Sequence, residues 1–287
     1  MENVTLNNGR IMPAIGFGVF QIPENETKNV VFEAIRHGYR SFDTAASYMN
    51  EKTLGEAVGD AIQEGLVTRE ELFITSKMWV QDMKNYDMAK KAIDTSLENL
   101  GLEYLDLYLL HQAMGNYFEA YRAMEDAYKE GKLKAIGVAN FFPHQLVNLC
   151  ENVEIIPAVN QVELHPFFAQ PLALETMKEY GVAPEAWAPL AEGKHGIFTN
   201  PVLKKIADKY GKSTAQIALK WNNQRGVIII PKSTNPEYMD QNRDILDFEL
   251  TEDEMNEISS LSLDHSEIIN HWDPKLVQFL NRRNIHD

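Results

Sequence analysis

The sequence predicts an α/β protein of the (β/α)8 barrel class, folded as one domain over residues 1–287, and three observations support this. Eight short apolar segments alternate with segments of helical periodicity. Six glycines stand where a helical pattern ends and an apolar segment follows. No linker, low-complexity stretch or repeat divides the chain. Barrels of this kind typically take about 250 residues as one unit, so the length is sufficient.

The predicted strands are short and apolar, as expected for parallel strands covered on both faces. They lie at residues 15–20, 40–44, 72–77, 105–111, 133–138, 158–162, 182–187 and 227–230. The helices between them are predicted at residues 26–37, 51–64, 86–100, 117–130, 143–150, 172–180 and 213–224. The glycines that end helical patterns are Gly38, Gly65, Gly101, Gly131, Gly181 and Gly226.

Further segments flank the barrel. Residues 4–6 and 10–12 enclose a turn ending at Gly9, which is typical of a β-hairpin that caps one end of the core. After the eighth strand, residues 235–242 and 251–261 are predicted as helices, and the second begins with a capping box. The tail, residues 264–287, is rich in large apolar residues. We expect it to pack across one face of the barrel, and the face that holds the functional site is a candidate.

An open, doubly wound sheet is the alternative arrangement of alternating strands and helices. Such a sheet normally carries a Gly-x-Gly-x-x-Gly turn after its first strand. Here Gly16 and Gly18 are followed by Gln21 at the third position. The barrel is therefore favoured.

The charge and the cysteine content limit the partners and the compartment. The chain has 27 Lys and Arg and 42 Asp and Glu, a net charge of −15, which disfavours nucleic acids and anionic membranes as partners. Residues 1–10 lack the apolar core of a secretory signal, and no run approaches the ~20 apolar residues of a membrane span. The single cysteine, Cys150, indicates a reducing compartment and a buried, inert thiol, with a reactive thiol as the alternative. We expect a cytoplasmic protein.

Polar and aromatic residues collect at or just after the C-terminal ends of the predicted strands. This is the end at which (β/α)8 barrels build their sites, so the shared placement is more informative than any one residue. The residues are Phe20, Asp43, Tyr48, Lys77, His111, Asn140, Gln161, Trp187 and Lys232.

Four of these residues suggest acid–base chemistry. Lys77 ends an apolar strand and is costly to bury unless Asp43, on the neighbouring strand, is its counter-ion. A nearby ammonium is predicted to lower the pKa of Tyr48 from ~10, which would make the phenol a general acid. A neutral His111 can donate to an oxygen that gains charge. The alternatives are a structural ion pair and a structural histidine. No zinc-ligand spacing is present, and no metal site is predicted.

Seven segments, in order along nearly the whole chain, resemble the aldo-keto reductases. They are residues 16–18, 42–45 with Tyr48, 76–77, 105–111, 137–141, 160–166 and 230–233. The resemblance implies a TIM barrel that binds a nicotinamide cofactor without a Rossmann fold and reduces an aldehyde or ketone. Within it, Tyr48 resembles the proton donor, Lys77 the group that lowers its pKa, Asp43 the partner of Lys77, and His111 the residue that orients the carbonyl. Relatives that reduce carbon–carbon double bonds carry glutamate in place of His111.

The resemblance also implies cofactor contacts. Asn140 and Gln161 resemble the partners of the nicotinamide carboxamide, and Trp187 the aromatic residue under the ring. Without the resemblance, these would be strand-end amides and a core tryptophan. Ala139 replaces a serine that usually joins these contacts, and Trp187 replaces the more common tyrosine. The other cofactor contacts that we predict are Gly18, Val19, Leu190, Lys232, Ser233, Thr234, Tyr238, Gln241 and Asn242.

The phosphate end of the cofactor is predicted at residues 232–242. Asn235 is a candidate N-cap and Pro236 a candidate first helical residue, which would leave free backbone N–H groups for an anion, although a simple capped helix is the alternative. The resemblance places an adenosine 2′-phosphate beside Lys232. Tyr238 replaces an arginine that usually holds this phosphate, and Gln241 replaces a glutamate that meets the adenine. We therefore expect NADPH as the preferred cofactor, with a weakened preference and NADH as the second candidate.

The substrate is expected to be a small carbonyl compound, because the implied pocket wall is aromatic and flexible. That wall comprises Phe20, Tyr48, Trp79, Met114, Tyr117 and the tail from His265. A monomer is expected. Two alternatives are a nucleotide-binding barrel that acts as a sensing or regulatory subunit, and an isomerase or aldolase that uses Lys77 as an amine. The complete set of four residues disfavours the first, and Asp43 opposes the neutral lysine that the second requires.

Overall fold

A computed structural model describes residues 2–286 and confirms the predicted α/β barrel. Eight parallel strands are hydrogen-bonded in chain order, and an antiparallel hairpin precedes them. The hairpin strands are β1 (Asn3–Thr5) and β2 (Ile11–Pro13). The barrel strands are β3 (Phe17–Gly18), β4 (Ser41–Asp43), β5 (Phe73–Met78), β6 (Leu107–Leu110), β7 (Ile136–Ala139), β8 (Val159–Glu163), β9 (Ala183–Trp187) and β10 (Ile228–Ile229).

The barrel closes between its first and last strands. Ile15 forms a parallel bridge with Ile229 just before β3 begins. The backbone N–H of Gly16 donates to the oxygen of Ile229 at 2.8 Å, and the N–H of Ile229 donates to the oxygen of Ala14 at 3.0 Å. Closure leaves the eight strands without a long free edge.

The helices surround the sheet and follow the predicted alternation. They are α1 (Glu24–Arg36), α2 (Glu51–Gln63), α3 (Tyr86–Leu100), α4 (Tyr117–Lys129), α5 (Pro143–Cys150), α6 (Pro171–Glu179), α7 (Pro201–Tyr210), α8 (Thr214–Gln224), α9 (Pro236–Arg243), α10 (Glu252–Ser259) and α11 (Pro274–Arg282). All six glycines predicted to end helices have φ between +63° and +84°, a left-handed conformation that glycine adopts without a steric penalty. The capping box at Thr251 is also present.

Two helices were not predicted. In α7, the side chain of Asn200 accepts from the N–H groups of Val202 and Leu203, Pro201 is the first helical residue, and Gly211 ends the helix at φ +65°. These are standard signals of a helix start and a helix end. The other helix, α11, lies within the tail.

The hairpin caps one end of the barrel, as predicted, and this is the end at which the strands begin. Met12, in β2, is completely buried and belongs to a cluster with Leu107 and Leu109 of β6. At the same end, the side chain of Asp106 forms ion pairs of 2.8 Å with both Arg10 and Arg69. The hairpin therefore closes the end of the barrel opposite to the strand C-termini.

The tail covers part of the C-terminal end, as expected. The indole N–H of Trp79 donates to the backbone oxygen of Arg283 at 2.8 Å, and the side chain of Gln81 donates to the oxygen of His286 at 2.8 Å. His271 Nε2 lies 2.8 Å from Gln112 Oε1. These contacts hold α11 beside the loops that follow β5 and β6.

The environment of Cys150 and the character of the helices bear on two further predictions. Cys150 is buried, and burial raises the pKa of its thiol to about 11, which agrees with the predicted inert thiol. Within residues 2–286, no helix combines the length and the apolar character needed to cross a membrane.

Candidate active site

A cleft of about 710 Å³ opens at the C-terminal end of the barrel. Its floor holds Tyr48 and His111, and it extends past Trp187 to Lys232. Loops after the strands form most of the wall, and the tail supplies the remainder. The cleft therefore connects the predicted catalytic group to the predicted phosphate end.

Lys77 lies beneath this cleft with no exposed surface. Its Nζ donates to Asp43 Oδ1 at 2.6 Å, to the backbone oxygen of Thr44 at 2.9 Å and to the Tyr48 hydroxyl at 3.1 Å, which uses its three N–H groups. Burial alone would lower the pKa of Lys77, but Asp43 and Tyr48 together raise it above its usual value. The lysine is therefore an ammonium ion, which is unsuited to amine chemistry.

Tyr48 is placed by a short 3-10 turn, Ala46–Tyr48, directly after β4. Its ring is half-buried, 4.9 Å from the ring of Phe20 and 5.6 Å from that of His111. The prediction of a lowered pKa is wrong as a net effect. Burial raises the pKa of the phenol by more than Lys77 lowers it. The hydroxyl consequently keeps its proton at neutral pH, as a proton donor must.

His111 follows β6, and its ring meets Tyr48 on one side and Trp79 at 5.3 Å on another. Burial, followed by the charges of Lys77 and Arg283, holds the pKa of His111 well below 6.5. The imidazole is therefore neutral at physiological pH, as expected. Its Nδ1 lies 3.2 Å from Ser47 Oγ, so Nε2 is the nitrogen left to serve the cleft.

Asn140 and Trp187 form a hydrogen-bonded pair on the opposite side of the cleft. Asn140 adopts φ +61°, which asparagine tolerates better than most residues. Its Nδ2 donates to the backbone oxygen of His111 at 2.9 Å, and its Oδ1 accepts from Trp187 Nε1 at 2.9 Å. The pair fixes the indole orientation and leaves Asn140 one N–H and one lone pair.

Gln161, on β8, lies deeper. Its Nε2 donates to Asp43 Oδ2 and to Glu185 Oε2, both at 2.8 Å. Both N–H groups are thereby used, and only Oε1 is left to meet a ligand. The free groups of Gln161 and Asn140 fit a primary carboxamide. Its NH₂ group would donate to Gln161 Oε1, and its oxygen would accept from the remaining N–H of Asn140.

The far end of the cleft fits an anion. Lys232 is exposed and lines the cleft. Asn235 caps α9 by accepting from the N–H of Glu237 at 2.9 Å, and Pro236 is its first helical residue, as predicted. Ser233 Oγ accepts from the N–H of Asn235 at 3.0 Å and shapes this turn. Tyr238, on the first turn of α9, is 54% exposed and free to meet a ligand.

Most of the predicted site residues line the cleft, and the others surround it. Those that line it are Gly18, Asp43, Tyr48, His111, Asn140, Gln161, Trp187, Leu190 and Lys232. Lys77 and Val19 are buried behind this lining. The rest lie on the loop that ends at Asn235 and on α9; they are Ser233, Thr234, Tyr238, Gln241 and Asn242.

Two residues expected in the pocket wall lie outside it, and the tail lines the cleft from Ile268 onwards and not from His265. Tyr117 turns instead towards Phe141, with ring centroids 5.2 Å apart. The sulfur of Met114 accepts from Asn281 of α11 at 3.6 Å. Neither side chain lines the cleft, because residues of the tail form this part of its surface.

Some residues that line the cleft or contact a site residue were not predicted from the sequence. Ser47 contacts His111, and Glu185 contacts Gln161. The small residues beside Tyr48 and a glutamate inside an apolar strand were the available signals. The tail residues were foreseen only as a group; they are Ile268, Ile269, Leu276, Phe279, Leu280 and Arg283.

The part of the chain that the structure describes contains no group of three or more His, Cys, Asp or Glu side chains arranged to hold a metal ion. The chemistry of the cleft is that of an ammonium, a phenol, an imidazole and two amides.

Comparison with known proteins identifies the family of this chain. A model of the Aldo/keto reductase family matches residues 14–263. The uncharacterised oxidoreductase YtbE of Bacillus subtilis is 49% identical over 260 residues, which cover 90% of this chain and 92% of that protein. The glyoxal reductase of the same organism is 46% identical over 265 residues, 92% and 94% of the two chains. The crystal structure of a Bombyx mori aldo-keto reductase in complex with NADP has a TM-score of 0.90 at 36% identity and covers 96% of each chain. The chain therefore belongs to the aldo/keto reductase family of oxidoreductases.

Proposed function

We propose that this protein reduces an aldehyde or ketone to an alcohol with NADPH, and that Tyr48 donates the proton. The observation that carries the proposal is the placement of the Lys77 ammonium in contact with both Asp43 and the Tyr48 hydroxyl, at 2.6 and 3.1 Å. This contact stabilises the phenolate that forms when the proton leaves.

In the proposed reaction, the carbonyl oxygen lies between the Tyr48 hydroxyl and the neutral imidazole of His111. His111 donates a hydrogen bond that orients the carbonyl and stabilises the charge that develops on its oxygen. When bound, NADPH would supply a hydride to the carbonyl carbon. Tyr48 gives its proton to the oxygen, and Lys77 compensates the phenolate charge while Asp43 holds the ammonium in place.

The cofactor is proposed to lie along the cleft. Trp187 would support the nicotinamide ring, and Asn140 and Gln161 would bind its carboxamide through the free groups described above. Leu190 and Lys232 line the route to α9, where the phosphates would meet an ammonium and a helix N-terminus. The NADP complex of the Bombyx mori relative supports this class of cofactor.

The substrate class is proposed to be small aldehydes, including dicarbonyl compounds. The relative named glyoxal reductase supports this class. Phe20 and Trp79 beside Tyr48 give the floor an aromatic surface that suits small, weakly polar molecules. We further infer that residues 1–287 act as one domain, which is supported by the packing of the hairpin and the tail on the two ends of the same barrel. We also propose that the protein is a cytoplasmic monomer.

A direct assay tests the proposed reaction. NADPH absorbance is followed with a panel of simple aldehydes, ketones and glyoxal, and we expect consumption that requires both the protein and the carbonyl compound. Absence of turnover with every member of the panel would contradict the proposal and favour a sensing or regulatory role for the barrel.

The cofactor preference gives a second prediction. We expect a higher kcat/KM with NADPH than with NADH, and Tyr238→Arg should raise the NADPH to NADH ratio about 10- to 100-fold, because a charged hydrogen bond to phosphate contributes roughly 1–3 kcal/mol. Tyr238→Gln, which adds no charge, is the control and should not raise the ratio. A wild-type ratio near one, or an arginine variant with the same ratio as the wild type, would refute the assignment of this phosphate site.

A further inference from the structure

A buried glutamate lies inside the barrel next to the candidate active site. Glu185, in the middle of β9, has no exposed surface. Glutamate is almost never fully buried unless it is paired, because an ionised carboxylate loses its hydration. The catalytic scheme above assigns this residue no task.

The surroundings of Glu185 offer little to stabilise a charge. Its Oε2 accepts from Gln161 Nε2 at 2.8 Å, and its Oε1 has no hydrogen-bond partner within residues 2–286. The same Gln161 nitrogen donates to Asp43 Oδ2 at 2.8 Å, so one amide lies between two carboxyl groups. The Lys77 ammonium is bound to Asp43 and not to Glu185.

The neighbouring strands and turn contribute few charged or titratable groups that act on Glu185. Strand β4 provides the negative charge of Asp43, β5 provides Lys77, and the turn after β4 provides Tyr48. Strand β8 provides the amide of Gln161, which contacts Glu185, and the buried carboxyl of Glu163, which contacts His165 and Ser266 instead. Strand β10 places Ile228 opposite Glu185. Burial and then Asp43 raise the pKa of Glu185 to about 8, against smaller opposing effects of Gln161 and Lys77.

We propose that Glu185 is a positioning residue that acts as a neutral carboxylic acid, anchoring Gln161 from inside the barrel and keeping a second negative charge away from Asp43, Lys77 and Tyr48. The anchor holds the Gln161 amide with its nitrogen inward and its oxygen towards the cleft. The neutral state matters because a negative charge on Glu185 opposes formation of the Tyr48 phenolate. This role rests on the proposed carbonyl reduction.

The protonation state is tested first on the cofactor-free protein, so that the result does not depend on the reaction. Glu185 keeps a proton in the folded protein up to about pH 8 and loses it near its usual pKa of 4.5 when unfolded. The folded state binds more protons at this site in this range, so the contribution of Glu185 to the stability of the wild type is lost as the pH rises from about 5 to about 8. Glu185→Gln removes this titration but keeps an acceptor for Gln161. The Tm of E185Q minus that of the wild type should therefore increase with pH across this range.

The functional role is tested with the same variant and a matched one. Relative to its value near pH 6, the reduction rate of the wild type should fall above about pH 8, whereas the rate of E185Q should stay nearly constant to higher pH. Glu185→Leu has a similar volume but no acceptor. It should bind NADPH more weakly than E185Q does, as measured by quenching of tryptophan fluorescence, because Gln161 has lost its anchor.

Each of these measurements can overturn part of the proposal. A Tm difference between E185Q and the wild type that is the same at all pH values would overturn the neutral carboxyl, whether or not the protein reduces carbonyls. Parallel alkaline loss of activity in the wild type and E185Q, or equal NADPH affinity of E185L and E185Q, would overturn the positioning role. A protein without carbonyl reductase activity would refute the proposed function, while the Tm comparison still reports on Glu185.

Discussion

Replacement of Tyr48 by phenylalanine is expected to reduce carbonyl turnover by about 10² to 10⁴-fold, the range typical of a lost general acid, and to leave NADPH binding unchanged. The substitution removes only the hydroxyl. The ring contacts with Phe20 at 4.9 Å and His111 at 5.6 Å are kept, so the shape of the cleft is preserved. Steady-state kinetics and a fluorescence titration with NADPH measure the two effects separately.

Tyr117→Phe is the matched control. Tyr117 is partly buried near the site but lies outside the lining of the cleft, and its loss of a hydroxyl should leave kcat close to that of the wild type. Equal kcat values for Tyr48→Phe and the wild type would exclude Tyr48 as the proton donor. Loss of NADPH binding in Tyr48→Phe would instead assign the hydroxyl to the cofactor.

Replacement of Lys77 by methionine is expected to affect both stability and activity. Lys77 and Asp43 are almost completely buried, at 0% and 3% exposure, so the substitution leaves the Asp43 carboxylate without its counter-ion. Removal of one partner of a buried ion pair typically costs about 3–5 kcal/mol in the free energy of unfolding. Turnover should also fall strongly, because nothing then compensates the Tyr48 phenolate. Denaturant unfolding and steady-state kinetics measure the two losses.

The double variant Asp43→Asn/Lys77→Met separates the two roles of this pair. It removes both charges, and the amide introduced at position 43 can still accept from Gln161, so most of the stability lost in Lys77→Met should return. Activity should not return, because the ammonium is still absent. If Lys77→Met is as stable as the wild type, the pair is not an energetically important ion pair. If the double variant recovers activity, Lys77 has no role in the reaction.

The barrel was predictable because its signals are local and repeated. Gly38 and Gly101, for example, mark helix ends in the sequence, because the backbone at these positions adopts a left-handed conformation that favours glycine. Helix α7 was missed although Asn200 and Gly211 mark its ends. It directly precedes α8 without a strand between them, so it falls outside the regular alternation of strands and helices from which the other elements were predicted.

The residues of the candidate site were predictable as a set, and several of their interactions were not. Asp43 and Gln161 are 118 residues apart in sequence, and their contact is a product of barrel closure. The sign of the pKa change at Tyr48 depends on how deeply the phenol is buried, which the spacing of residues does not report. Glu185 was not predicted as a buried residue, because a glutamate within a strand is ordinarily expected to face water, and the apolar residues around it were the only sign of its location.

The closing contact of the barrel has a consequence for biosynthesis. Ile15 and Ile229 are 214 positions apart (229 minus 15), so a chain emerging from the ribosome exposes the edge at β3 until most of its residues have been made. Exposed edges of incomplete sheets recruit strands from other chains. Strand β3 consists of only Phe17–Gly18, and Gly18 offers no side chain to a foreign strand. The shortness of this strand therefore limits the edge that an incomplete barrel offers for such pairing.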